Sequence, residues 1–216
     1  MSVAEAPAKR GFADWVGADH TALLVMDMQA DFASPDGAMG RMGVDLSGVP
    51  AALAAAERLV GAARAAGALV VFVRLETDPA LDSPVWVERM RRLGGDPDHD
   101  LELCRIGAPG AAFVGPQPAE GEMVVSKLRY SAFYGTELDE DLAGRGVDTV
   151  VLCGLTTECC VDSTARHGFH MDYHVFVARD ACAAYGADLH KAALRSLELN
   201  CAILADVGEF ESVWRV

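Results

Sequence analysis

The apolar positions of this chain fall into short unbroken runs separated by stretches with helical spacing. TALLVMD, residues 21–27, is apolar almost throughout and has no polar alternation. That pattern suits a strand covered on both faces in a parallel sheet. SPDGAMGRMG, residues 34–43, is rich in turn formers, and VPAALAAAERLVGAARAAGA, residues 49–68, reads as an alanine-rich helix stopped at Gly67. ALVVFVR (68–74) and MVVSK (123–127) predict the second and third strands. Between them, residues 75–120 are weakly patterned, with a short helix expected over 85–92 and turn-rich GGDPDHD (94–100) and GAPGAAFVGPQPAEGE (107–122). Such a length is usual for a functional loop region or a subunit contact. The second half alternates more tightly. A helix is expected over 136–145, a strand over 147–153, a helix beginning near Thr157, a strand over 173–177, a helix over 187–199 and a short strand in CAILAD (201–206).

Strand and helix alternating from end to end argue for one α/β domain, a doubly wound and mostly parallel sheet with helices on both faces. The domain is expected over residues 21–216. Residues 1–20 and the closing ESVWRV (211–216) read as a tail or an oligomer contact.

Composition narrows the function classes. A chain of 216 residues supports one substantial core. Its net charge of −14, from 32 acidic and 18 basic residues, opposes a general affinity for nucleic acid or anionic membrane. RMRR, residues 89–92, precedes Asp96, Asp98 and Asp100 and reads as solvated helix surface. The apolar runs are strand-sized and the first twenty residues hold no signal-peptide stretch, so a cytoplasmic location is expected. Six cysteines in that setting read as free thiols. Cys104, Cys153, Cys182 and Cys201 fit core positions, and the Cys159–Cys160 pair lacks CxxC spacing. No GxGxxG or phosphate loop follows the first strand, which removes support for a dinucleotide-binding reading.

Ligands of open α/β sheets bind beyond the carboxyl ends of the strands. Asp27 ends the first strand, Lys127 ends the third, and Cys160 lies in the first turns of the helix after the fourth. Singly, each has a plain structural reading: a cap, a solvated lysine, a core thiol. Together they supply a mechanism. Unpaired amides and the dipole at a helix N-terminus favour a thiolate at Cys160. Asp27 can take the thiol proton and return it to a leaving amine, while Lys127 lowers the thiolate pKa or orients Asp27. Amides around Thr157 and Cys160 are placed to stabilise an oxyanion. His167 lies two helical turns beyond Cys160, roughly 10 Å along the axis. A Cys–His arrangement would therefore need His99 or His190 brought in by the fold.

Three segments now point to a known family: LLVMDMQADF (23–32), SKLRYSAFYGTEL (126–138) and GLTTECCVDSTARHG (154–168). The chain resembles the isochorismatase-like cysteine hydrolases, on the side of the N-carbamoylsarcosine amidohydrolases and ureidoacrylate hydrolases, over roughly residues 21–204. The resemblance implies strand order 3-2-1-4-5-6 and a catalytic triad falling on Asp27, Lys127 and Cys160. Cys160 rather than Cys159 matches because it directly precedes VDSTA. A cis peptide before the nucleophile helix would fall at Thr156–Thr157, and assembly as a homodimer or homotetramer is implied.

Two departures sharpen this expectation. Isochorismatases proper usually carry glycine in place of the cysteine, so the thiol argues for C–N hydrolysis. Nicotinamidases carry an Asp-x-His…His metal site, whereas RLETDPALDSP (74–84) has no histidine. No metal and no cofactor are therefore expected, and Asp78 and Asp82 read as loop surface. Phe32, Trp86, Arg129, Tyr130 and Phe133 are candidate contacts for a small-molecule substrate, an aromatic wall with a guanidinium clamp; packing at a subunit interface is their other reading. Two rivals stay open: a hydrolase that does not use Cys160 as nucleophile, and a catalytically silent binding or assembly subunit.

Overall fold

The computed structural model describes residues 11–96 and 102–215. Six strands form one parallel sheet in the order β3-β2-β1-β4-β5-β6. They are β1 (Thr21–Met26), β2 (Leu69–Leu75), β3 (Met123–Lys127), β4 (Thr149–Leu155), β5 (His174–Ala183) and β6 (Ile203–Ala205). This is the order the resemblance implied. β1 and β4 are buried along their whole length at the centre of the sheet. Alternate residues of β1 feed two separate cores. Ala22, Leu24 and Met26 face one, and Leu23 and Val25 the other. Burying each leucine fully is worth about 1.5–3 kcal/mol, so the unbroken apolar run is what a two-sided sheet requires.

The first core is closed by α6 (Leu138–Ala143), α7 (Asp162–His170) and α8 (Ala187–Asn200), through Leu138, Leu142, Ala165 and Leu197. The second is closed by α4 (Val49–Ala66) and α9 (Val207–Trp214), through Leu59, Val60, Phe210 and Trp214. In α4 the small buried face of Ala52, Ala56 and Ala63 brings the helix close to the sheet. Gly67 ends α4 at φ 77°, a left-handed cap whose N–H reaches back to the Ala63 and Arg64 carbonyls.

The termini depart from the expected tail. Residues 12–15 form a short helix, α1 (Phe12–Trp15), and the Phe12 ring packs on Phe176 and Phe210. Most of ESVWRV belongs to α9, where Trp214 is buried and donates its indole N–H to the Val16 carbonyl at 2.8 Å. The two described ends thus lock against each other on the sheet. Their polar-looking sequences hid this because the apolar residues that meet, among them Phe12, Val16, Phe210 and Trp214, are few at each end and far apart in sequence. β5 also runs six residues beyond its expected end. Arg179 and Asp180 look like a turn, but Arg179 pairs with Asp206, and Asp180 accepts the Val207 N–H. Among the described residues no helix is long and apolar enough to cross a membrane.

Candidate active site

The strand order reverses between β1 and β4, and the chain leaving each strand there turns toward the same crevice. Asp27 follows β1 at φ 47°, a left-handed conformation in which an aspartate is tolerated. Its neighbours hold the turn. The Gln29 side chain donates to the Leu75 and Ala111 carbonyls and accepts the Leu75 N–H, while Asp31 accepts the N–H groups of Ala38 and Cys104. The DMQAD segment thereby ties β1, β2 and the loop over residues 104–111 into one wall.

Lys127, the last residue of β3, reaches across the end of β2. Its Nζ lies 2.7 Å from Asp27 Oδ2 and 3.4 Å from Cys160 Sγ. Asp27, Lys127 and Cys160 are 0%, 2% and 6% exposed. The ammonium is the group that meets the carboxylate, at Oδ2, and among the described residues no other donor reaches either Asp27 oxygen. Burial by itself would lower the Lys127 pKa, but the charge of Asp27 outweighs it and holds the ammonium above its ordinary range. The adjoining Cys159 thiol, burial and the Asp27 charge push the Cys160 thiol well up, against the pull of Lys127. The resting site is therefore an ion pair beside a neutral thiol. The thiolate that the helix N-terminus alone would favour must form by proton transfer.

Cys160 lies in a single π-helical turn, Thr157–Val161, that leads into α7. The Thr156 carbonyl accepts the N–H of Cys159 and of Val161 and passes over that of Cys160. A cis peptide bond does precede this turn, but at Leu155–Thr156, one residue before the position the resemblance implied. Gly154 admits the close packing of β4 on β1. At φ 124°, a Cβ there would lie 2.0 Å from the Met26 carbonyl oxygen.

Above the thiol is a cavity of about 220 Å³, walled by Phe32, Leu75, Trp86, Tyr130, Thr156 and Tyr185 among others. Of the expected substrate contacts, Phe32, Trp86 and Tyr130 do line it, with the Trp86 and Tyr130 rings 5.7 Å apart. Phe133 does not. It is buried in the first core, stacked on Tyr173 at 5.6 Å, because the Thr164 hydroxyl accepts the Ala132 N–H and draws residues 131–133 down onto α7. Arg129 stands outside the cavity wall, its guanidinium over the Trp86 ring and donating to the Leu128 carbonyl. The Thr157 hydroxyl is hydrogen-bonded to His190 Nδ1 at 2.8 Å. His190 thus meets the Thr157 hydroxyl, and His167 meets Ser131; His99 lies outside the described residues, as do Asp98 and Asp100.

The sequence reading missed several wall residues. Cys159 packs partly against the first core and also lines the cavity beside Glu158. Helix α5 (Pro84–Arg92), capped by the Ser83 hydroxyl, buries none of its side chains completely and lends Trp86, Arg89 and Met90 to the cavity. Their i, i+3, i+4 spacing is one helix face, so the expected contact Trp86 already pointed to Arg89 and Met90. Asp78 accepts the Ala80 N–H and Asp82 pairs with Arg105 through two hydrogen bonds. Among the described residues no group of three His, Cys, Asp or Glu side chains is arranged to hold a metal ion.

All six cysteines are free thiols. The isochorismatase domain model matches residues 21–209. The chain is 40% identical over 205 residues to the ureidoacrylate amidohydrolase RutB of Methylobacterium radiotolerans, covering 89% of this chain and 78% of that protein. It is 35% identical over 207 residues to the protein of the same name from Azorhizobium caulinodans, covering 90% of each. Among solved structures, the cysteine hydrolase from Pseudomonas syringae pv. phaseolicola 1448A superposes with a TM-score of 0.80 at 29% identity, covering 93% of this chain and 94% of that one. An isochorismatase family protein from Desulfovibrio vulgaris gives 0.77 at 32% identity, covering 90% and 98%. On a family match across most of its length and these relatives, the chain belongs to the isochorismatase domain family and is a hydrolase.

Proposed function

We propose that the chain hydrolyses a C–N bond of a small ureido, carbamoyl or carboxamide substrate, with Cys160 as nucleophile. The observation that carries this reading is the position of one buried ammonium, Lys127, within 2.7 Å of Asp27 and 3.4 Å of the Cys160 sulfur at the floor of the cavity. The names of the relatives, ureidoacrylate amidohydrolases, support a ureido compound as the substrate.

Asp27 is the base. Lys127 meets it at Oδ2 and no donor reaches Oδ1, which leaves a lone pair to accept the Cys160 proton as the substrate carbonyl carbon comes within reach of sulfur. Lys127 stabilises the thiolate as it forms, and the Cys160 N–H, passed over by the Thr156 carbonyl, is the donor to the developing oxyanion. The tetrahedral adduct collapses by breaking the C–N bond, and the amine leaves with the proton held on Asp27. Water then gives its proton to Asp27 and its oxygen to the S-acyl or S-carbamoyl carbon. The C–S bond breaks, the carboxylic or carbamic acid is released, and the thiol recovers its proton.

The test is ammonia or amine release from a panel of ureido and carboxamide compounds, by wild type and by Cys160→Ala. Activity falling about a thousandfold or more in the variant, with an S-acyl or S-carbamoyl adduct (the substrate less its departed amine) on Cys160 in acid-quenched wild-type protein, is the expected result. Retained activity in Cys160→Ala would move the chemistry to a hydrolase without a thiol nucleophile. Absence of turnover across the panel would favour a silent binding subunit.

A further inference from the structure

Two charged side chains on the cavity wall are answered by nothing else in the described chain. Arg89, an exposed residue of α5, lines the cavity on its solvent side, and its guanidinium has neither a carboxylate nor a hydrogen-bond partner among the described residues. The nearby arginines are committed, Arg105 to Asp82 and Arg129 to the Leu128 carbonyl and the Trp86 ring. Glu158 lines the same cavity from the turn that carries the thiols, and its Oε2 is buried without a donor. Tyr130 lines the same cavity.

An ionised carboxylate can only accept hydrogen bonds, so the complement of Glu158 is an N–H donor held next to the thiol. A ureido group offers N–H donors on both sides of its carbonyl, a carboxamide on one side, an ester on neither. The complement of an unpaired guanidinium is a carboxylate, bound through two parallel hydrogen bonds. In a chain of net charge −14, a small anion needs such a local cation to settle in the cavity. The cavity of about 220 Å³ limits the substrate to a small molecule.

We infer that Arg89 and Glu158 determine specificity: the pocket takes a short ureido acid, its carboxylate on Arg89 and its ureido N–H on Glu158. This rests on the amidohydrolase reading above. Arg89 stands in the place that the sequence offered to Arg129, and Glu158 fixes which end of the substrate meets Cys160.

The experiment compares 3-ureidopropionate with propylurea, the same ureido chain with a methyl group where the acid has its carboxylate. The ratio of kcat/KM for the acid over the neutral compound should fall about 10- to 100-fold in Arg89→Gln, mostly through KM, and be partly restored in Arg89→Lys. Glu158→Gln should lower kcat/KM for both compounds together and move their ratio less than about threefold, because they share the ureido end. Equal effects of Arg89→Gln on the two compounds overturn the assignment of Arg89, and unchanged kinetics in Glu158→Gln overturn that of Glu158. Titration calorimetry on the Cys160→Ala protein separates this from the chemistry. If wild type turns over neither compound, the reading of ureido hydrolysis fails. Preferential binding of the acid that is lost in Arg89→Gln, with binding of both compounds weakened alike in Glu158→Gln, still upholds the specificity assignment; no preference between the compounds overturns it.

Discussion

Removing the Lys127 ammonium while keeping its length, as Lys127→Met does, leaves Asp27 as a carboxylate that is 0% exposed and has no other ionic contact and no hydrogen-bond donor. Breaking a buried pair from one side costs about 3–5 kcal/mol, because the uncompensated charge stays in the interior. For a chain of this size that is a fall in Tm of about 6–20 °C. Asp27→Asn is the partner substitution, since asparagine tolerates the left-handed backbone at φ 47°. It strands the Lys127 ammonium in turn, with only the Cys160 sulfur 3.4 Å away. In the double variant neither charge is present, so its destabilisation should be less than the sum of the two singles by about 2 kcal/mol or more. Urea denaturation of the four proteins at one pH, with unchanged m-values, measures that coupling. Activity should be lost in all three variants, which separates the structural part of the pair from its catalytic part. A coupling below about 0.5 kcal/mol would refute the reasoning, because the charges would then be stabilised independently of each other.

Three further outcomes are expected. Trp214→Ala empties a buried site and removes the hydrogen bond to Val16, so it should cost about 3–5 kcal/mol by urea melts; a loss under 1 kcal/mol would mean that the C-terminal helix does not dock in solution. Gly154→Ala places a Cβ against the Met26 carbonyl at a φ that disfavours side chains, so β1 and β4 must separate. It should yield little folded protein in a soluble-expression assay, and a wild-type yield with an unchanged Tm would contradict that geometry. His190 is half-buried and its pKa is lowered by that burial. Below about 6.5 the unfolded chain therefore binds a proton that the folded chain resists. Stability present above that pH is lost as pH falls toward the lowered folded value, and His190→Gln should flatten this slope in melts at stepped pH. Equal slopes in the two proteins would show that His190 does not contribute.

The hydrophobic pattern by itself determined the central sheet. Runs such as TALLVM and LVVFVR have no polar face, and a strand without one must be covered on both sides, which leaves helices on each face of a parallel sheet. The same pattern located Asp27, Lys127 and the turn of Cys160, because the residue after a buried run is where the strand ends. Pattern could not reach what depends on positions distant in sequence. The docking of Phe12 and Trp214 across the sheet is set by contacts 198 residues apart. Phe133 is taken from the pocket into the core by the hydrogen bond that Ala132 gives to Thr164. Arg89 and Glu158 look like ordinary surface charges in the sequence, and only the closure of α5 over the crevice puts them on one cavity wall. Even the state of the thiol is a tertiary property. A helix N-terminus alone would favour the anion, but burial and the nearby Asp27 and Cys159 raise the Cys160 pKa and keep the proton on sulfur in the resting site.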